Sequence, residues 1–245
     1  MDRPRRLFAP ELPPAGGLVE LPDDSARHAR VLRLAAGQRV KLFDGRLGQA
    51  DAVIETLSRE RLVCRTQARQ ALPAPAPALH LVLGLPKGGK VEDVLRMLAE
   101  LGVASLHLAQ CERSVPRPGD APARMARLAR VALEACAQSG QPLATAVHAP
   151  APLLEIAHAV PGAAARLVFW ERAQTALDAA LADTPRGAEV WAVVGPEGGL
   201  SEREVAELQA RGFAAAGLGS ALLRVETAAP VVAALLLDRM GRLQG

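Results

Sequence analysis

Apolar positions change their spacing once along this chain. In the N-terminal part they come in short runs. Val40-Lys41-Leu42-Phe43 leads into Asp44-Gly45, and Gln49 to Ile54 follows, a hairpin pattern. Leu62 to Thr66 predicts a third strand. Ahead of these, Asp24 to Leu34 has helical spacing, which predicts Arg27, Arg30 and Arg33 on one helix face. Alternating Pro and Ala from Leu72 to Ala78 then predicts an extended linker. Beyond it, strand and helix patterns alternate. Leu79–Leu85, Ser105–Ala109, Ala144–His148, Arg166–Trp170, Glu189–Val194 and Phe213–Ala216 read as strands. Val91–Leu101, Pro122–Gln138, Pro152–Val160, Gln174–Leu181, Ser201–Arg211 and Arg224–Arg239 read as helices between and after them. Such alternation predicts an α/β fold with a mostly parallel sheet covered on both faces. The expected organisation is residues 1–71, a linker at 72–78, and a larger domain at 79–245.

Half of the residues are hydrophobic, which excludes global disorder. Aromatics are only 2%, so Ala, Leu and Val must build the core, and base stacking on aromatic platforms is disfavoured. The net charge of +3 is unevenly spread: residues 1–70 carry +4 and the remainder −1. The N-terminal excess suits phosphate contacts, or simply a solvated face. Cys64, Cys111 and Cys136 lack metal-ligand spacing, so no metal is expected and the thiols read as reduced. The start, MDRPRRLFAP, has no secretory h-region, and the longest apolar run, Ala228 to Leu237, is too short to span a bilayer. A cytoplasmic protein with no membrane association is expected.

Two glycine-bearing loops carry candidate chemistry, and a third resembles one. Gly84 to Lys90 matches the first seven positions of a phosphate loop. The eighth, which should be a Mg²⁺-binding hydroxyl, is Val91. Lys87 and Lys90 are then either turn residues or point charges near a nucleic acid. Gly195-Pro196-Glu197-Gly198-Gly199 differs: it follows a buried strand and precedes Ser201-x-x-Glu204, a capping box that starts the next helix. It sits where open α/β sheets bind ligands. The second element runs Leu218-Gly219-Ser220-Ala221-Leu222-Leu223-Arg224-Val225-Glu226-Thr227-Ala228 and opens another helix. On residue types alone, Thr227 could merely cap and Arg224 pair with Glu226.

These two segments resemble the signatures of the SPOUT methyltransferases, in particular the RsmE-type family that methylates N3 of a uridine in 16S ribosomal RNA. GPEGG-L-S-x-x-E stands intact at Gly195 to Glu204, and LG-x-x-L-LR-x-ETA at Leu218 to Ala228. Further matches are Arg3-Pro4-Arg5, Val31-Leu32-Arg33, Leu42-Phe43-Asp44-Gly45, Glu100-Leu101-Gly102-Val103, Glu112-Arg113-Ser114 and Glu134 to Gly140. The chain departs from the family pattern at Met97, Ala137, Gln141 and Ala221.

The resemblance implies an N-terminal PUA-like RNA-binding β-barrel and a C-terminal SPOUT domain with a trefoil knot, working as a homodimer. It implies S-adenosylmethionine as cofactor, held by Gly195, Pro196, Glu197, Gly198, Gly199, Leu218, Gly219, Leu222, Leu223 and Thr227, with a third loop near Glu171. The substrate would be small-subunit ribosomal RNA, naked or in the assembled subunit. Uridine N3 must lose its imide proton, so a base or an anion-stabilising cation is needed. Arg224 is the candidate cation, and Glu226 or Glu197 the candidate proton acceptor. Arg113, Glu134 and Gln138 are expected to shape the target pocket, and Arg3, Arg5, Arg6, Arg30 and Arg33 to contact phosphates. Rival readings are a SPOUT enzyme acting on another ribosomal or transfer RNA site, a catalytically silent RNA-binding or assembly protein, and a phosphate-loop NTPase.

Overall fold

Two runs too short to show periodicity open the chain: β1 (Arg6–Phe8) and β2 (Leu18–Glu20). They flank α1 (Asp23–Val31), β3 (Arg39–Phe43), β4 (Gly48–Leu57) and β5 (Leu62–Ala71) in a sheet ordered β1-β3-β4-β5-β2. The computed structural model describes residues 4–87, 90–114, 121–182, 184–185, 187–219 and 221–243. Asp44 closes the β3–β4 hairpin: its Oδ1 accepts from the N–H groups of Arg46 at 2.7 Å and Gly48 at 2.8 Å. Alternate residues of these strands, with Ala26 and Ala29 of α1, bury a core around Leu7, Leu42, Ile54 and Leu62.

The α1 pattern needs one correction. The helix ends at Val31, and Arg33 lies beyond it with φ 56°, so it does not continue the Arg27–Arg30 face. The chain divides into two compact units. Met1–Pro75 with Leu133–Ala144 form one, and Ala76–Ala132 with Thr145–Gly245 the other.

The second unit contains β6 (Leu79–Gly84), α2 (Lys90–Leu101), β7 (Ser105–Gln110), α3 (Ala121–Ser139, whose end from Leu133 belongs to the first unit), β8 (Ala146–Pro152) and α4 (Leu153–His158). It continues through β9 (Ala165–Phe169), α5 (Leu177–Ala180), β10 (Val190–Val194), α6 (Glu202–Ala210), β11 (Ala214–Ala216) and α7 (Val225–Arg239). Its sheet is ordered β11-β9-β10-β6-β7-β8, and every pairing is parallel. The period of two sorts its side chains between two cores. Leu79, Leu81 and Leu83 of β6 and Val190, Ala192 and Val194 of β10 face α2 and α7. Val82, Trp191 and Val193 face α4 and α6. Burial on both faces explains why β10 reads as an unbroken apolar run and β6 as one interrupted by His80.

One polar row crosses this sheet. His80 stacks on Trp191 with centroids 4.6 Å apart, and His107 stacks on His148 at 4.0 Å. Ser105 Oγ lies 2.6 Å from His80 Nδ1 and 2.8 Å from His107 Nε2. His80 Nε2 faces the Glu189 carboxylate at 3.3 Å. An ionised carboxylate only accepts, so His80 carries its proton on Nε2. Ser105 then donates to His80 Nδ1, and His107 donates from Nε2 to Ser105.

Candidate functional site

The site is built at the C-terminal ends of three adjacent strands, β11, β9 and β10. Each strand exits into a loop: Trp170–Ala176 after β9, Gly195–Leu200 after β10, and Gly217–Arg224 after β11. In a parallel sheet these ends converge on one edge, where backbone N–H and C=O groups have no further strand to meet.

The loops hold one another closely. Trp170 N–H donates to Ala216 C=O at 3.1 Å, and Gly217 N–H donates to Thr175 C=O at 3.0 Å. A Cβ on Gly217 would stand 2.4 Å from the Ala173 carbonyl oxygen, so only glycine fits. Gly199 has φ +70°, and a Cβ there would meet Glu171 Oε1 at 3.0 Å. A side chain at Gly199 is therefore disfavoured by backbone and space together. At Gly84, at the end of β6, a Cβ would come within 2.4 Å of Pro196 Cδ.

Charged groups fix the same loops from below. The capping box forms as the sequence suggests: Ser201 Oγ accepts from Glu204 N–H at 3.1 Å, and Glu204 Oε2 accepts from Ser201 N–H at 2.8 Å. Glu204 is buried, and its other oxygen accepts from Glu112 N–H at 2.9 Å. Glu197 accepts from Lys87 N–H at 3.0 Å on both oxygens. Lys90 Nζ lies 3.2 Å from Glu197 Oε1 and 3.1 Å from Glu226 Oε2. Burial alone would raise the Glu197 carboxyl; its own N–H, that of Lys87 and the Lys90 ammonium hold it below the ordinary value. Glu226 is also lowered, first by its own backbone N–H and then, against desolvation, by Lys90 and Arg224.

Gly195 to Gly199, Leu218, Gly219, Leu222, Leu223, Arg224, Glu226 and Thr227 thus belong to one edge of one sheet. Leu218 and Leu223 pack on the sheet core, whereas Leu222 is 84% exposed. Arg224 is the N-cap of α7 without a side-chain cap bond, and Thr227 is exposed one turn in. Thr227 is therefore not the helix cap. Arg113 donates to Gly198 C=O at 3.0 Å and so supports the Gly195–Gly199 loop. Glu134 and Gln138 are exposed on α3 and belong to the first unit, as do Arg5, Arg6, Arg30 and Arg33. Arg6 is directed inward, with its Nη atoms donating to the carbonyls of Cys136 and Gln141 and its guanidinium over Phe43. A guanidinium so engaged has little left for a phosphate. Arg30 is exposed and donates to Arg59 C=O at 3.0 Å. Arg3 lies outside the described residues, as do Gly88 and Gly89.

Sequence reasoning missed Lys90 as a partner of both carboxylates, because the link joins residues more than a hundred positions apart. Among the described residues no group of three or more His, Cys, Asp or Glu is placed to hold a metal ion. No helix of the described residues is long and apolar enough to cross a membrane.

Comparison with known proteins agrees with this geometry. The RNA methyltransferase domain family matches residues 73–237, and the RNA methyltransferase PUA domain family matches residues 21–67. Ribosomal RNA small subunit methyltransferase E of Mycobacterium tuberculosis is 30% identical over 233 residues, covering 92% of this chain and 88% of the relative. The Neisseria gonorrhoeae protein of that name, solved bound to S-adenosyl methionine, superposes with TM-score 0.87 at 27% identity, covering 97% of this chain and 98% of that one. A Legionella pneumophila methyltransferase in complex with SAM gives TM-score 0.88 at 26% identity, with the same coverage. With both family models matched in order along its length, the chain belongs to the SPOUT RNA methyltransferases, in their RsmE-type branch.

Proposed function

We propose that this protein transfers a methyl group from S-adenosylmethionine to N3 of a uridine in 16S ribosomal RNA. The observation that carries the reading is the convergence of three interlocked loops, two of them bearing glycine, at the ends of β11, β9 and β10. Relatives solved with S-adenosylmethionine bound support the cofactor, and relatives named as small-subunit ribosomal RNA methyltransferases support the substrate. The residues present fit the cofactor: the glycines at 195, 198, 199 and 217 let the loops pack tightly on one another, and Gly219, with φ +92° and open space where a Cβ would stand, leaves backbone uncovered beside them. Gly195 to Gly199, Leu218 to Leu223 and the loop at Glu171 would hold it, with Thr227 beside them.

When bound, the cofactor supplies an electrophilic methyl on a sulfonium. The new N–C bond forms as the S–C bond breaks, so the leaving group is a neutral thioether and the imide proton goes to solvent or a base. Positioning accounts for much of such a displacement. Arg224, exposed at the start of α7, suits the anion developing on the uracil. Glu197 and Glu226 make weak bases, because Lys90 and backbone N–H groups favour their ionised forms. Their role here is structural, with Arg224 carrying the electrostatic work.

The same reading includes a trefoil knot in the C-terminal domain, a cytoplasmic setting beside the ribosome, and a homodimer. Exposed apolar side chains on α7, Val231 and Leu235, with Leu222 before it, favour a partner surface there. RNA would be gripped by the basic first unit through Arg5, Arg30 and Arg33. The test is to incubate the protein with labelled S-adenosylmethionine and small ribosomal subunits and to locate the label by mass spectrometry. 3-Methyluridine in 16S RNA is expected; label in another nucleoside, or none, overturns the reading.

A further inference from the structure

The segment that resembles a phosphate loop, Gly84 to Lys90, ends in a lysine with an unexpected use. In a nucleotide-binding loop that lysine meets phosphate oxygens. Here Lys90 Nζ meets two carboxylates from different parts of the chain, Glu197 at 3.2 Å and Glu226 at 3.1 Å. Glu197 is the centre of the Gly195–Gly199 loop, and Glu226 lies in the first turn of α7, directly after the Gly217–Arg224 loop. We propose that Lys90 is a positioning residue that braces the two cofactor loops against each other, making the end of β6 and the start of α2 a fourth wall of the cofactor site.

Three further observations support the brace. Lys87 N–H donates to both oxygens of Glu197, so a second group of the same segment holds the same carboxylate. Gly84 approaches Pro196 so closely that a Cβ would fall 2.4 Å from its ring, so segment and loop are in direct contact. Finally, the two carboxylates share one ammonium and so lie within two hydrogen-bond lengths of each other. Without the ammonium they repel, and the cheapest relief is for the loops to part. Parting would widen the cradle and weaken cofactor binding without touching the sheet core. The brace also leaves Lys90 committed to carboxylates, which argues against nucleotide phosphate at this segment. The inference rests on the proposed cofactor reading.

The experiment is calorimetric titration of S-adenosylmethionine into the full chain and into K90M, K90R and the triple variant K90M/E197Q/E226Q, with melting of each measured without cofactor. Expected is an affinity about tenfold lower for K90M, with most of it regained in K90R. Partial recovery is expected in the triple variant, where no charges remain to repel. In methylation assays K90M should raise KM for S-adenosylmethionine and leave KM for RNA unchanged. K90M binding as tightly as the parent overturns the brace alone. K90R binding as poorly as K90M does the same, and keeps the proposal testable should K90M not fold. A parent chain that binds no S-adenosylmethionine overturns the reading of the whole site.

Discussion

Arg113 donates from Nη1 to the carbonyl of Gly198 at 3.0 Å, and its Cβ lies 3.0 Å from the point where a Cβ on Gly198 would stand. The segment after β7 therefore presses on the middle of the Gly195–Gly199 loop. Gly198→Val should push the two apart and move the backbone that lines the cradle. We expect S-adenosylmethionine affinity to fall at least about tenfold, the cost of a one-contact misfit, while the chain still folds. Unchanged affinity in calorimetry would remove this loop from the cofactor site.

Arg224 tests the chemistry rather than the cradle. Its backbone caps α7, so Arg224→Ala keeps the helix start, and the side chain makes no cap bond that would be lost. If its charge stabilises the uracil anion, single-turnover methylation should slow by about 10²- to 10³-fold. Cofactor affinity should stay near the parent value. A rate equal to the parent's would assign the electrostatic role elsewhere. Arg224→Lys should recover only part of the rate, because an ammonium does not reproduce a planar guanidinium.

Glu204 shows how far the loop depends on one buried carboxylate. It accepts from Ser201 N–H and from Glu112 N–H, so it fixes the start of α6 and the β7 loop together. Glu204→Ala leaves both N–H groups without their acceptor and should cost about 2–4 kcal/mol in urea unfolding. Glu204→Gln retains one acceptor oxygen and should cost less. Equal stability of Glu204→Ala and the parent would contradict the hydrogen-bonding described.

Much of this was legible in the sequence. Leu79–Gly84 and Val190–Val194 announce parallel strands because both faces are buried, and Ser201 with Glu204 announces a helix start because the capping box is local. Links across many residues were not legible. β1 and β2 are three residues each and acquire their identity only by pairing with β3 and β5. The histidines at 80, 107 and 148 come together through the registers of β6, β7 and β8, in which His80 pairs with Ser105 and His107 with His148. Lys90 looked like a phosphate-loop residue because its spacing is local and its partners are not. Arg33 followed the three-residue spacing of Arg27 and Arg30, yet the helix stopped first.

Unit-by-unit charge leads to a prediction about RNA. Arg5 and Arg30 are exposed in the first unit, which carries the chain's positive excess. Contacts of this kind release counterions, so Arg5→Ala and Arg30→Ala should each reduce the slope of log affinity against log salt by about 1. The effect should be the same for unrelated RNA sequences, because phosphates carry no sequence. Arg6→Ala should behave differently, lowering the melting temperature more than the salt slope, since its Nη atoms bond carbonyls inside the unit. A slope unchanged in both exposed variants would exclude this face from RNA binding.

The histidine row makes stability depend on pH in a defined direction. Burial, then the neighbouring His148 and His80, push His107 down to about 4. Burial likewise lowers His80, with Glu189 opposing and His148 assisting. In the unfolded chain both titrate near the ordinary value of 6.5. Above that pH both states are neutral and the row contributes no pH dependence. As pH falls below 6.5 the unfolded chain takes up protons that the folded chain refuses, so folding stability declines until His107 itself is protonated near 4. Melting temperature should therefore fall steadily between pH 6.5 and 4. In His107→Phe, which keeps a ring to stack on His148 but cannot be protonated, the fall should be shallower. A parallel decline in parent and variant would show that carboxylates elsewhere, not this row, set the acid sensitivity.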